Sequence, residues 1–154
     1  MKGNSQVISC LNRYLSIELT GYKQYLLHSR MCGNWGFKRL KEIQNDYSAD
    51  ETNHAGELME RILFLEGQPQ LQDMREITPC GTVVGQLELD LDLISQAIPL
   101  LREAILECEN VHDYVSRDLF RKMLDDEEEH FHWLETELRL IQETGLENYL
   151  QSQM

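Results

Sequence analysis

Apolar residues recur every three or four positions through four long stretches of this chain, and short polar or glycine-bearing breaks separate the stretches. That period matches one face of an α-helix; a half-buried strand would alternate. The breaks are "CGNWG" at 32–36, the long "EGQPQLQDMREITPCGT" at 66–82, the polar seam "ENVHDYVSRD" and Gly145. The pattern predicts helices over roughly 5–32, 36–65, 83–109 and 114–144, then a short one over roughly 146–152. Thr82 reads as an N-cap, and Gly67 as the residue that closes the second helix.

Helices of about 28 residues are about 40 Å long, and each carries one apolar stripe to bury. Four such helices bury their stripes by packing together. The first break and the polar seam are short, so each joins antiparallel neighbours. The 66–82 segment is long enough to travel the length of the bundle. The expected fold is all-α: a ferritin-like four-helix bundle with a long crossover and a short fifth helix, as a single domain over 1–154.

The stripes are not purely apolar. The first helix reads Leu11, Leu15, Glu18, Tyr22, Tyr25, and the second reads Tyr47, Glu51, His54, Leu58, Ile62. The fourth reads Phe120, Met123, Glu127, His130, Leu134, Leu138. Three acids and two histidines therefore stand where core residues belong. An unpartnered buried carboxylate is costly, and the basic residues lie mainly off these faces, so divalent metal is the natural partner. Four of the five histidines follow a glutamate by three places, but helical phase sorts them. Glu129 and His132 point away from the stripe, Glu109 and His112 straddle the seam, and His28 reads as structural or peripheral. That leaves Glu51/His54 and Glu127/His130. Two Glu-x-x-His pairs on two helices, with a glutamate from each of the others, form the constellation that holds paired irons in helical bundles. Carboxylate and imidazole ligands also suit manganese or zinc.

Composition narrows the partners. Asp and Glu number 27 against 14 Lys and Arg, a formal net charge of −13. This argues against nucleic acid and anionic membrane, and suits a protein that draws in small cations. Cys10, Cys32, Cys80 and Cys108 are scattered without a CxxC, as expected of reduced thiols. "MKGNSQVISC" has no apolar signal core and no run is long enough to cross a bilayer, so a cytoplasmic location is expected.

Longer blocks carry a likeness. "MKGN", "QYLLHSRM", "ERILFLEG", "LREAI", "HDYVSRD", "WLETEL" and "LIQETGLENYLQSQM" occur in order along the whole chain, which resembles the bacterioferritins. The resemblance implies a cage of about two dozen subunits built on two-fold dimers, storing ferric mineral, with the short last helix lining a channel. It implies a ferroxidase centre in which Glu18 and His54 serve a first iron, Glu51 and Glu127 bridge, and His130 serves a second. Tyr25 would stand beside that centre and Asp50 near its outer mouth. Oxygen or peroxide would be the oxidant. A rubrerythrin-like peroxidase would bring a CxxC iron site, which this sequence lacks.

Two positions depart from the family pattern. The family's sixth ligand, a glutamate on the third helix, falls at Ile94; Asp90 and Asp92 are badly placed to replace it, and Pro99 should kink the helix just beyond. The second iron would then bind more weakly. The family's haem-ligating methionine falls at Thr52, which has no thioether to offer. No haem b is expected in a homopolymer, although a mixed cage with a methionine-bearing second subunit type could hold some; Met59 and Met31 read as core filler. The alternative reading is a catalytically impaired structural and mineral-nucleating subunit of a heteropolymer.

Overall fold

The computed structural model describes residues 1–72 and 75–154, and places in order α1 (Ser5–Trp35), α2 (Lys38–Phe64), α3 (Val83–Asn110), α4 (Tyr114–Thr144) and α5 (Leu146–Ser152). Caps explain most starts. The Asn4 side chain accepts from Gln6 and Val7 N–H, Thr82 from Gly85 N–H, and Asp113 from Ser116 N–H. Each satisfies donors that no helical carbonyl can reach.

Helix ends show where local signals misled. α1 runs past Cys32 and Gly33 to Trp35, because one helical glycine weakens a helix by only about 1 kcal/mol. It stops at Gly36, whose φ of 90° is left-handed and lets Phe37 N–H return 2.9 Å to the Cys32 carbonyl. At the end of α2 the left-handed residue is Glu66, with φ 62°, and not the expected Gly67. Gly67 is small for another reason: a Cβ there would lie 2.8 Å from Ile8 Cγ2. The α3–α4 seam has no glycine, and His112 turns the chain at φ 61°. α3 continues through Pro99 to Asn110.

The connections fix neighbours. Residues 36–37 and 111–113 join antiparallel pairs. The crossover is laid along α1: Asn12 bonds the Gln68 carbonyl and the Gln70 N–H, and Thr20 accepts from Arg75 N–H. The crossover's Asp73 and Met74 lie outside the described residues. Cross-helix pairs then run as antiparallel ladders. Arg13–Glu103, Gln24–Asp90 and Cys32–Gln86 tie α1 to α3. Arg61–Asp113, Glu57–Lys122 and His54–Asp126 tie α2 to α4. Two apolar clusters fill the bundle: one around Leu11, Leu58, Leu101 and Phe120, the other around Leu40, Leu87, Ile94 and Leu134. On α2 the buried Gln44, Ser48, Glu51 and His54 fall between them, and on α4 Glu127 and His130 do. α5 docks on α4 by burying Tyr149, whose hydroxyl donates to Glu137.

Arg61 reaches across the seam to Ser116 Oγ at 2.9 Å and Asp113 Oδ1 at 2.8 Å. Burial works to raise the Asp113 carboxyl, but hydrogen bonds from Ser116 and Arg61 outweigh it and hold the group below its usual range. A depressed folded-state pKa contributes stability above the unfolded value and loses it as pH falls through the folded one. Arg61→Ala is therefore expected to destabilise the chain by about 1–3 kcal/mol at neutral pH. The difference should shrink as pH drops below about 3.8. Denaturant unfolding of both proteins from pH 7 downward checks this.

Candidate metal centre

Glu18 projects from α1, Glu51 and His54 lie one turn apart on α2, and Glu127 projects from α4. Each offers a ligand atom within 4.8 Å of the others, and none of the four residues is more than 5 % exposed. Small neighbours make room. A Cβ on Gly21 would stand 3.1 Å from Glu51 Oε2, so α1 faces this level with glycine, while the expected Tyr22 is only half-buried. The Tyr14 hydroxyl donates to Glu127 Oε1 at 3.2 Å.

Three carboxylates with so little water oppose one another's ionisation. Burial raises the Glu51 carboxyl well above its usual range, and the charges of Glu18 and Glu127 add to it. Glu127 is pushed to about 8, first by burial and then by Glu18. Burial would drive His54 down, but Glu18 and Asp126 on its two sides raise it to about 9. Such a cluster holds protons when empty of cations and exchanges them for metal. What it can do chemically is bind divalent cations through oxygen and one nitrogen.

The chain matches the model of the ferritin-like domain over residues 8–144. A bacterial ferritin of Synechocystis is 46% identical over 155 residues, covering 100% of this chain and 99% of that protein. A bacterial ferritin of Pseudomonas aeruginosa is likewise 46% identical, covering both chains fully. A bacterioferritin of Mycolicibacterium paratuberculosis is 38% identical, covering 97% of this chain and 94% of that protein.

The chain belongs to the ferritin family.

Within this ferritin chain the expected site residues divide. Glu18, Glu51, His54 and Glu127 converge, and His130 stands outside that set. Burial drives the His130 imidazole down to about 3, so the ring is neutral. Its Nε2 is buried without a hydrogen-bond partner among the described residues. Tyr47 stacks on it at 3.4 Å between ring centroids, and Tyr25 meets it edge-on at 5.1 Å. Tyr25 is buried beside the centre; burial raises its phenol well above the usual range, and the Glu51 charge adds to the shift. Asp50 is exposed, outside the converging group, on a cavity of about 300 Å³ between α2 and α4 that also reaches His54, Lys122, Asp126 and Glu129.

α3 gives the centre no acid. Ile94 is fully buried in the apolar cluster with Leu87 and Leu134. Asp92 is exposed and accepts from Gln96. Asp90 is buried one turn away, with its two oxygens taken by Gln24 at 2.7 Å and Gln44 at 2.8 Å. Thr52 is exposed and its hydroxyl donates back to the Ser48 carbonyl. Met59 packs against the core, and Met31 Sδ accepts from Gln86.

Sequence reasoning missed Asp126. Its Oδ2 lies 2.8 Å from His54 Nε2, while His54 Nδ1 lies 3.3 Å from Glu18 Oε2. A carboxylate on the outer nitrogen orients the inner one toward a metal. Asp126 is one residue off the α4 stripe, and only the antiparallel pairing of α2 with α4 brings it to His54.

Two outcomes follow from this geometry. Glu127, with its folded pKa raised, takes up protons on folding, and stability should fall as pH rises from about 4.5 to about 8. His54 is also raised, so its contribution, full below about 6.5, is lost as pH passes about 9. Thermal unfolding of the metal-free protein across this range should show the decline, and saturating Zn²⁺ should flatten it. Asp126→Asn should weaken Zn²⁺ binding by about ten- to hundred-fold, as read by competition with a chelating dye.

Proposed function

We propose that this chain is an iron-storage bacterioferritin subunit that oxidises Fe²⁺ at an intrasubunit ferroxidase centre and deposits ferric mineral inside a cage of about two dozen copies. The observation that carries the reading is the convergence of Glu18, Glu51, His54 and Glu127 in the bundle interior, with His130 buried beside them. Full-length likeness to proteins named bacterial ferritin and bacterioferritin supports it. The cytoplasm is the location that suits such a subunit and its free thiols.

Fe²⁺ enters as substrate through the acidic mouth at Asp50 and Asp126. Glu18 and His54 hold a first ion, Glu51 and Glu127 bridge, and His130 takes part of a second. Cations displace the protons held by Glu51 and Glu127, and the like-charge conflict becomes attraction. Each of two Fe²⁺ gives one electron; hydrogen peroxide accepts both with two protons and leaves as two waters, or oxygen accepts both with two protons and leaves as hydrogen peroxide. Tyr14 holds Glu127 in place through its hydroxyl.

Ile94 weakens the second position. A buried isoleucine supplies neither the charge nor the oxygen that a terminal carboxylate would, so this ion is held loosely and turnover is slowed. Thr52 supports a cage without methionine-ligated haem unless a second subunit type provides it. Ile94 also favours a second reading, in which the chain is a structural, mineral-nucleating partner in a mixed cage.

The rate of Fe²⁺ oxidation by the isolated protein separates the two readings. Measurable turnover that is lost in Glu51→Ala supports the ferroxidase; a rate equal to iron in buffer supports the structural subunit. Ile94→Glu is expected to raise the tight Co²⁺ stoichiometry from about one to about two per chain and to speed oxidation. Two tight Co²⁺ per chain in the unaltered protein would overturn the weakened second site.

A further inference from the structure

The centre orients its two histidines by different means. His54 is fixed by carboxylates on both ring nitrogens, Asp126 at 2.8 Å and Glu18 at 3.3 Å. Metal-binding histidines are usually aimed by hydrogen bonds of this kind. His130 differs. Its Nε2 is buried without a hydrogen-bond partner among the described residues, and the contacts around its ring are aromatic.

Tyr47 lies face to face with the His130 ring, 3.4 Å between centroids and 12° between planes. Tyr25 meets the same ring edge-on at 5.1 Å, and Trp133 tilts against His130 at 6.0 Å and against Tyr47 at 5.5 Å. Free aromatic pairs favour offset or edge-on contacts about 4.5–7 Å apart, so this superposed stack is imposed by the way the helices meet. The α2–α4 ladder that joins Glu57 to Lys122 and His54 to Asp126 continues to Tyr47 and His130. Tyr47 is one turn before Glu51 on α2, and His130 is one turn after Glu127 on α4. The stack therefore stands one step along the bundle from those two carboxylates.

A ring stacked at van der Waals distance cannot tilt toward its neighbour, and Tyr25 blocks it at a second edge. Stacking thus does for His130 what carboxylates do for His54. The second ion depends on it more, because α3 offers the buried Ile94 in place of a carboxylate. With fewer ligands, binding relies more on each being already in place.

We infer that Tyr47 is a positioning residue for the second metal ion: its stacked ring, and not its hydroxyl, holds His130 where Nε2 can bind. This rests on the reading of His130 as a ligand of that ion. A tyrosine that merely filled space would be replaceable by leucine; one that stacks is replaceable by phenylalanine and not by leucine.

The test uses the assembled full-length protein with Co²⁺ as probe, and compares Tyr47→Phe, Tyr47→Leu and His130→Ala. Tyr47 is only half-buried, on the cavity between α2 and α4, so neither change at this position opens the core. Tyr47→Leu should weaken the second, looser Co²⁺ at least tenfold and leave the first unchanged, while Tyr47→Phe retains both. His130→Ala should weaken the same second ion, and adding Tyr47→Leu to it should bring no further loss. In metal-free crystals the His130 ring should keep its plane in Tyr47→Phe and leave it in Tyr47→Leu. An unmoved ring or unchanged Co²⁺ binding in Tyr47→Leu, an equal loss in Tyr47→Phe, or equal weakening of both ions would each overturn the role of Tyr47. Second-ion binding untouched by His130→Ala would instead overturn the ligand assignment beneath it.

Discussion

Carboxylates that face one another without water are the constraint on which this bundle turns. Glu18, Glu51 and Glu127 meet at a buried level, where their like charges repel one another. Only protons or cations relieve that repulsion. The raised Glu51 and Glu127 carboxyls are the protonic answer, and divalent metal is the stronger one. Tyr14 and the Glu18–His54–Asp126 contacts hold the side chains in this unfavourable arrangement. The fold keeps the cluster strained in charge so that a cation entering it gains what repulsion had withheld.

Apolar packing on either side makes this affordable. Clusters around Phe120 and around Leu134 flank the polar level, and the crossover is fastened to α1 at Asn12 and Thr20. The centre is lopsided as a result. α1, α2 and α4 contribute charged ligands, whereas α3 presents Ile94 and retires its nearest interior acid, Asp90, into bonds with Gln24 and Gln44. The ligand set is thus an open arc on the α3 side, and the buried α3 carboxylate sits at a neighbouring level.

The exterior matches the interior. A net charge of −13 surrounds a mouth where Asp50, Asp126 and Glu129 gather, so the field lines for a cation converge on the gap between α2 and α4. Lys122, paired with Glu57 at 3.0 Å, is the basic residue on that rim and is already neutralised. Tyr47 closes the inner side by stacking on His130, which leaves a neutral imidazole fixed beside the carboxylates.

Much of this was legible from periodicity. The 3.6-residue repeat names the helical faces, and acids standing on an apolar face must be buried together, so Glu18, Glu51, His54 and Glu127 could be read as one group from a one-dimensional pattern. The same phase argument turned Glu129 and His132 outward, and both are exposed. Contacts between helices were not legible, because they depend on register and on which helices become neighbours. Asp126 on His54, Tyr47 on His130 and the His28–Asp90 level are all of this kind. Chain ends of helices also escaped local rules, since Glu66 and His112 accept left-handed backbone where flanking helices demand it. By itself the sequence determined which faces are interior and what chemistry they carry; tertiary structure decided which of those groups touch, because distance across a bundle is set by packing and no spacing along one helix encodes it.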